Sequence, residues 1–222
     1  MTQGKIIVFS GLDGSGKSTQ IGLLEKYFKQ NNIPYLYLWT RGGYTSGIEG
    51  IKNFFRRISG GKALPPSGNN AIRQRHISKP FVQKIWLTIA ILDLIRIYGS
   101  KIKKLQKKGV HLICDRYLLD TQVDFRLNFP SRNVENWWLW KKLEKITPKP
   151  DLALFLTIPV EESIRRSDIK GEPFRDSRDT LIKREKQYGS LVNPSDWLLL
   201  DGLKPADFIH DQIMESIKSI ID

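Results

Sequence analysis

Five short apolar runs recur along the chain, separated by longer stretches in which apolar residues have helical spacing. The runs are nearly continuous rather than alternating, which is typical of strands that are covered on both faces. They span Lys5–Phe9, Tyr35–Trp39, Val110–Cys114, Leu152–Ile158 and Trp197–Leu200. Strands that alternate with helices predict an α/β fold in three layers, with a parallel sheet between two layers of helices.

Three of the intervening stretches give specific helix predictions. One-sided apolar spacing directly after the first run, at Ile21, Leu24, Tyr27 and Phe28, predicts an amphipathic helix. The most apolar stretch, Ile85–Leu92, is well short of the roughly 20 residues that a membrane span needs, so it predicts a buried helix. The basic run Lys101–Gly109 is typical of a solvated helix C-terminus closed by glycine.

Composition limits the class of protein. The chain has 222 residues, of which 40% are hydrophobic and 27% charged, and we expect one globular domain over residues 1–222. A single cysteine, Cys114, lies inside an apolar run, which suggests a buried thiol in a reducing compartment. No export signal precedes the first strand, so we expect a cytoplasmic protein.

The formal net charge of +13 is high. A positive field around a site that handles several phosphates would account for it, while binding to nucleic acid or to an anionic membrane surface is the alternative. Trp137, Trp138 and Trp140, followed by Lys141 and Lys142, could form a membrane-surface patch. Aromatic residues at helical spacing more often pack in a core, and we favour that interpretation.

A glycine-rich run that follows the first strand indicates binding of a nucleoside triphosphate. It fits G-x-x-x-x-G-K-[ST], in which backbone amides surround phosphate oxygens, Lys17 reaches the β- and γ-phosphates and the Ser18 hydroxyl contacts Mg²⁺. The expected ATP-binding residues are therefore Gly11, Asp13, Gly14, Ser15, Gly16, Lys17, Ser18 and Thr19. A dinucleotide-binding loop is excluded, because Thr19 stands where that motif needs a third small residue.

Polar residues follow two other strands, at the sheet edge where ligands of α/β proteins bind. Asp115 closes the third strand, where a carboxylate can act on Mg²⁺, and Arg116 presents a fork of donors suited to phosphate. Arg41, after the second strand, suggests a phosphate contact as well. The structural alternatives are a helix cap for Asp115 and a salt bridge for Arg116.

Two segments without regular patterning remain. Residues 166–178 are basic and broken by glycine and proline, which predicts a lid whose Lys170 and Arg175 would neutralise charge during phosphoryl transfer. An exposed loop that happens to be basic is the alternative. Residues 58–70, rich in glycine, proline and asparagine, predict a mobile loop inserted in the domain. No histidine has metal-ligand spacing, and we assign none a catalytic role.

These motifs together resemble the thymidylate kinase family. The P-loop with Asp13, the pair Thr40–Arg41, the run Asp115–Tyr117 and the strand opening Pro150–Leu152 are each similar to that family's motifs. The resemblance implies a P-loop NTPase fold with a five-stranded parallel sheet, Mg²⁺ with ATP as donor, a nucleoside monophosphate acceptor and a homodimer. It also implies that Asp13 contacts the acceptor sugar and that Arg166 lies against adenine.

The departures from the family pattern lie on the acceptor side. Gly42 and Gly43 replace the expected Glu-Pro, and Leu94 stands where an arginine normally helps to hold the acceptor phosphate, with Arg96 close by. Where the family has a small hydroxyl residue and then Ala-Tyr-Gln, this chain has Asp120 and Val123-Asp124-Phe125. The donor half therefore follows the family, whereas the acceptor half departs from it.

The sequence predicts an ATP-dependent kinase of the thymidylate kinase-like group, with dTMP as the default acceptor. Lys17, Arg116, Lys170 and Arg175 would be catalytic, and Ser18 and Asp115 would hold the metal. Asp13, Arg41, Arg116 and Asp120 would bind the acceptor, with Asp120 or Asp13 as the base if the acceptor were a hydroxyl. Two alternatives stay open: a kinase of a sugar or other non-nucleotide metabolite, and an ATPase acting at nucleic acid or membrane.

Overall fold

The computed structural model describes residues 3–40, 80–171 and 176–221, and these form a five-stranded parallel sheet between helices. The strands are β1 (Ile6–Gly11), β2 (Tyr35–Trp39), β3 (His111–Asp115), β4 (Leu152–Thr157) and β5 (Leu198–Asp201). Their order across the sheet is β2-β3-β1-β4-β5, and every neighbouring pair is parallel. All five predicted strands are confirmed, each starting within one residue of its predicted position.

Helices connect the strands on both faces. They are α1 (Lys17–Gln30), α2 (Pro80–Arg96), α3 (Lys103–Lys107), α4 (Leu118–Asn128), α5 (Trp138–Ile146), α6 (Val160–Lys170), α7 (Arg178–Leu191) and α8 (Ala206–Ile221). A π-helical turn, Ile97–Ile102, joins α2 to α3, and two 3₁₀ turns, Pro130–Arg132 and Val134–Asn136, lie between α4 and α5.

Alternate residues of β1 face opposite layers of the core. Ile6 and Val8 pack with α2 and α5 on one side, whereas Ile7 and Phe9 pack with α1 and α8 on the other. Because both faces are covered, every residue of β1 is buried, which explains its uninterrupted apolar run. Among the described residues the edge strand β2 has β3 as its one neighbouring strand, and Tyr37 and Trp39 are exposed.

The helix predictions are confirmed by burial. Ile21, Leu24 and Phe28 of α1 are buried, and Trp86, Leu87, Ala90 and Ile91 form the buried side of α2. In the part of the chain that the structure describes, no helix combines the length and the apolarity needed to cross a bilayer. The Cys114 thiol is buried, as predicted, and burial raises its pKa to about 12.

The tryptophan cluster divides between core and surface. Trp140 is 1% exposed and packs in the core, as the packing interpretation predicted, and Trp137 is half-buried beside it. Trp138, in contrast, is 69% exposed at the start of α5. The adjacent prediction for Lys101–Gly109 is also confirmed: its lysines are exposed, and Gly109 ends the helical stretch with φ at 75°.

Candidate active site

The side chain of Lys17 folds back onto the backbone of the loop between β1 and α1. The Lys17 Nζ donates hydrogen bonds to the carbonyl oxygens of Gly11, at 2.9 Å, and Leu12, at 2.7 Å. Burial, reinforced by the charge of Arg116, lowers the pKa of Lys17 from its ordinary value to about 8. A buried ammonium at the N-terminus of a helix creates a strong positive potential, which suits a polyphosphate. Ser18 and Thr19, next along α1, are exposed.

Helix α6 packs directly on this loop. The Ser163 hydroxyl donates to the Asp13 carbonyl oxygen at 2.6 Å, and the Arg166 guanidinium donates to the carbonyl oxygens of Gly14 and Gly202 at 3.1 and 3.0 Å. Gly14 has φ at 75°, and a Cβ there would lie 3.1 Å from the Cβ of Arg166. Glycine is therefore required at this position by both the backbone conformation and the approach of α6.

Asp115 and Arg116, at the end of β3, lie opposite the P-loop. The Arg116 guanidinium forms a salt bridge with Asp13, and Tyr37 donates its hydroxyl hydrogen to Asp115 at 3.2 Å. Burial raises the pKa of the Asp115 carboxyl, while the positive charges of Lys17 and Arg116 oppose the rise. The structure therefore places Asp13, Lys17, Asp115 and Arg116 in one electrostatically coupled group.

Two buried polar atoms of this group lack hydrogen-bond partners among the residues that the structure describes. They are Oδ1 of Asp115 and Nη1 of Arg116. Native proteins pair almost all buried polar groups, because leaving one unpaired costs about 1–3 kcal/mol. Arg116 also has φ at 72°, an unfavourable conformation for a residue with a side chain. An unpaired acceptor and an unpaired donor, on adjacent residues that are electrostatically coupled to a P-loop lysine, are suited to a cation and an anion.

The structure also contains residues that hold this edge of the sheet in place. Thr40, at the end of β2, donates its hydroxyl hydrogen to the Arg116 carbonyl oxygen at 2.9 Å and accepts one from Tyr98 at 3.0 Å. The Tyr98 ring packs on that of Tyr117, with ring centroids 4.6 Å apart. These contacts fix the backbone at the unfavourable Arg116 position.

Asp120 is buried among protein donors. Its side chain is 1% exposed and accepts hydrogen bonds from the Ser10 hydroxyl at 2.6 Å, the Tyr188 hydroxyl at 2.7 Å and the Tyr117 backbone N–H at 2.9 Å. Acceptor binding by Asp120 stays a prediction, and this geometry gives the carboxylate a different task. Through these hydrogen bonds the Asp120 carboxylate joins β1, α4 and α7.

Asp124 is likewise buried, and it pairs with an arginine that the sequence gave no reason to select. Arg184 of α7 donates to Asp124 at 2.6 Å and to Asp176 at 3.2 Å. The two residues are 60 positions apart, so no local sequence pattern connects them. Only the regular helical spacing of α4 and α7 could have indicated that Asp124 and Arg184 lie on facing sides of the two helices. The two departures at positions 120 and 124 thus form matched contacts between the same two helices.

Of the remaining predicted residues, the structure describes some and not others. Lys170 is exposed at the last position of α6, and Arg166 lies one turn earlier, so the segment expected as a lid is helical up to Lys170. Leu94 is buried in the core, and Arg96 pairs with Asp93 at 2.8 Å. Arg41, Arg175 and the loop 58–70 lie outside the described residues.

A cavity of about 330 Å³ opens beside the P-loop. Asp13 lines one side, and residues of α6 and α7 with the segment before α7 line the rest: Ile164, Ser167, Asp168, Asp176, Ser177, Arg178 and Leu181. A larger cavity of about 380 Å³ lies between α4, α5 and α7, and its lining includes no P-loop residue. The first cavity is therefore the one that adjoins the coupled charges.

A magnesium ion fits the residues that are present. The described part of the chain has no cluster of three His, Cys, Asp or Glu side chains that could hold a metal by themselves. Mg²⁺ that accompanies a nucleotide needs only one or two protein ligands, because phosphate and water supply the others. The unpaired Asp115 Oδ1 and the exposed Ser18 hydroxyl are oxygen donors of the required kind.

Comparison with known proteins agrees with this geometry. The family model described as thymidylate kinase matches residues 78–213. Thymidylate kinase of Plasmodium falciparum is 27% identical over 218 residues, which cover 98% of this chain and 91% of the relative. The probable thymidylate kinase of Methanocaldococcus jannaschii is 25% identical over 222 residues, which cover 99% of each chain.

Solved structures support the fold. Thymidylate kinase from Candida albicans superimposes with a TM-score of 0.61 at 19% identity, covering 98% of this chain and 92% of that one. Deoxyadenosine kinase from M. mycoides gives a TM-score of 0.57 at 16% identity, covering 97% of this chain and all of the other. The family model and the curated relatives favour neither a sugar kinase nor a surface-bound ATPase. Because that family model spans more than half of the chain, this chain is a phosphotransferase of the thymidylate kinase family.

Proposed function

We propose that the chain transfers the γ-phosphoryl group of ATP to dTMP, giving ADP and dTDP. The observation that carries the proposal is the pair of unpaired buried atoms, Asp115 Oδ1 and Arg116 Nη1, beside Lys17. One atom is suited to the metal of the donor and the other to an acceptor phosphate. The names of the curated relatives support dTMP as the acceptor.

The donor would bind along the P-loop. Its phosphate oxygens would replace the Gly11 and Leu12 carbonyls as acceptors for Lys17, and the loop amides would surround them. Arg166, which donates to the Gly14 and Gly202 carbonyl oxygens, would lie against the adenine ring. Lys170, one turn further along α6, would neutralise charge on the transferring group, and Arg175 shares that proposed role.

The acceptor would bind across Asp13 and Arg116. Arg116 Nη1 would donate to its phosphate, and Asp13 would accept from a sugar hydroxyl while its carboxylate keeps Arg116 oriented. An acceptor phosphate oxygen then attacks the γ-phosphorus as the bond to the leaving ADP oxygen breaks. The attacking oxygen is already anionic, so this step needs no general base. Arg41 is a further proposed phosphate contact.

Magnesium would be held by Ser18 and Asp115 together with the donor phosphates. When bound, Mg²⁺ neutralises charge on the phosphate oxygens. Burial raises the pKa of Asp115, and hydrogen bonding from Tyr37 and the charges of Lys17 and Arg116 favour its ionised form, which is the form a metal requires.

Asp120 and Asp124 would act as positioning residues for this reaction. Each carboxylate is directed at protein partners, and together they connect α4, which follows the Asp115–Tyr117 run, to α7, which lines the cavity. Their substitution for the family's usual residues therefore alters how the acceptor site is supported.

A coupled assay of ADP release with ATP and Mg²⁺ tests the acceptor. We expect dTMP to stimulate release far more than other nucleoside monophosphates or sugars. Sugar-stimulated release that exceeds the dTMP-dependent rate would favour the non-nucleotide kinase instead. An Arg166→Ala variant should raise the KM for ATP about tenfold while changing that for dTMP little, since Arg166 contacts the P-loop and would contact the donor ring but not the proposed acceptor site.

We also propose a homodimer in the cytoplasm, as the family resemblance implies. Sedimentation equilibrium of the purified chain measures the assembly state, and a single species at the 25.6 kDa monomer mass would contradict the dimer.

A further inference from the structure

The exposed face of α5 combines a tryptophan with a row of lysines. Trp138 opens the helix and is 69% exposed, and Lys141, Lys142 and Lys145 follow it at spacings of three, four and seven residues. These spacings place all four side chains on one side of the helix. The opposite side, with Leu139, Trp140 and Leu143, is buried in the core, so the face is held rigidly outward.

A second basic segment lies beside the end of α5. A Cβ added to Gly99 would lie 2.8 Å from the Ile146 side chain, and Arg132, before α5, donates to Gln83, at the start of α2, at 2.6 Å. The stretch from α2 to α3 and the stretch leading through α5 therefore run side by side in the same direction. Exposed lysines at the end of the first stretch continue the row: Lys101, Lys103, Lys104, Lys107 and Lys108.

The two segments form one surface of strongly unbalanced charge, which we call the lysine face. Residues 97–109 and 138–149 contain nine lysines, all exposed, and no arginine. Their one acidic residue, Glu144, accepts a hydrogen bond from the Trp140 indole at 2.7 Å. The lysine face therefore carries a large part of the net charge of +13.

The lysine face lies at the opposite end of the strands from the proposed phosphate site. The Gly4 N–H, just before β1, donates to the Gln106 carbonyl oxygen at 2.9 Å, and β3 begins directly after Gly109. These contacts put α3 at the amino ends of the strands, whereas the P-loop and Asp115 follow their carboxyl ends. The phosphates of a bound nucleotide therefore do not account for these lysines.

We propose that the lysine face binds the surface of an anionic lipid bilayer, in addition to the proposed kinase function and independently of it. Lysines attract anionic headgroups as hydrated point charges, and an exposed tryptophan on the same helix inserts at the headgroup level. Two lysine faces brought together would repel each other, so the proposed homodimer would pack through another surface. Nine lysines and no arginine within these two segments favour diffuse attraction to headgroups over the bidentate contacts that recognise nucleic acid.

Co-sedimentation with vesicles tests the proposal on the full chain. The probe is phosphatidylcholine vesicles with and without about 30% phosphatidylglycerol, at low and at near-physiological salt. We expect binding to the anionic vesicles only, weakened by salt. The variant K141Q/K142Q/K145Q should bind about a hundredfold more weakly, and Trp138→Ala about tenfold more weakly.

A variant in the other helix layer controls for a general loss of positive charge. Lys26 and Lys29 are exposed on α1, away from the lysine face, and K26Q/K29Q should bind vesicles nearly as the unmodified chain does. Kinase turnover of all variants should be unchanged, which separates this proposal from the catalytic one. Equal loss with K26Q/K29Q, equal binding to neutral vesicles, or tighter lysine-dependent binding to a single-stranded oligonucleotide than to vesicles would each overturn it.

Discussion

Asp115 and Arg116 are adjacent residues of opposite charge whose side chains turn to different partners. Arg116 adopts an unfavourable backbone conformation, and its side chain is thereby buried against Asp13 while that of Asp115 contacts Tyr37. Each retains one unpaired buried atom. The residue types and their place after a strand were predictable from the sequence. The positive φ and the unpaired atoms were not, because they depend on contacts with Thr40 and Asp13 that are distant in the chain.

Lys17 provides a prediction about pH. Its pKa of about 8 in the free protein means that it loses its proton as the pH rises through that value, whereas bound phosphates would keep it charged. ATP binding should therefore take up a proton at about pH 9 and almost none at about pH 7, and ATP affinity should fall as the pH rises across this range. Calorimetry in two buffers of different ionisation enthalpy measures the uptake.

The control for this prediction is Lys17→Arg. A guanidinium stays charged throughout this range, so any residual ATP binding by that variant should show no proton uptake. Uptake of the same size in Lys17→Arg would assign the titration to another group.

Asp120 provides a prediction about stability. Replacing it with alanine leaves the Ser10 and Tyr188 hydroxyls and the Tyr117 N–H without their acceptor. The free energy of unfolding should fall by about 3 kcal/mol, because each buried group left unpaired costs 1–3 kcal/mol. Urea denaturation measures it. Asp196→Ala, which removes an exposed carboxylate, should change stability by less than about 0.5 kcal/mol; a similar loss in both would contradict the role of Asp120.

At the scale of elements, α6 and α7 line the cavity beside the P-loop, and Asp13 lines its other side. Helix α6 contacts the P-loop through Ser163 and Arg166, and α7 is joined to α4 through Tyr188 and Arg184. All five strands follow from apolar runs in the sequence, and α6 and α7 lie in one of the intervals where it predicts helices. Their contacts do not follow from the sequence, because Arg184 and Asp124 belong to separate helices and their pairing depends on how those helices cross.

The Arg184–Asp124 ion pair predicts how tightly these helices are coupled. Both side chains are buried, so Arg184→Met alone should lower the free energy of unfolding by about 3 kcal/mol by removing the ion pair that Asp124 forms with it. The double variant Arg184→Met/Asp124→Leu should recover most of that loss, since the buried carboxylate is removed together with the guanidinium that compensates it. Denaturant titrations of the single and double variants measure the coupling. Additive losses would show that the two residues act separately.

At the scale of the whole molecule, the proposed active site and the lysine face lie at opposite ends of the strands. The carboxyl ends of the strands carry the P-loop, Asp115 and Arg116, and the amino ends adjoin the lysine face. The P-loop could be recognised in the sequence because its residues are adjacent, and its binding of ATP stays a prediction. The proposed acceptor site is harder to recognise, because Asp13 and Arg116 come from separate loops and Arg41 lies outside the described residues.

The central claim is that the P-loop and Arg116 site transfers phosphate from ATP to dTMP. The most direct measurement is dTMP-dependent ADP release by the unmodified chain and by Lys17→Met, with direct detection of dTDP. The account predicts stoichiometric dTDP and ADP from the unmodified chain and a rate at least about a thousandfold lower from the folded variant. Full activity in Lys17→Met, or ADP release without dTDP, would contradict it.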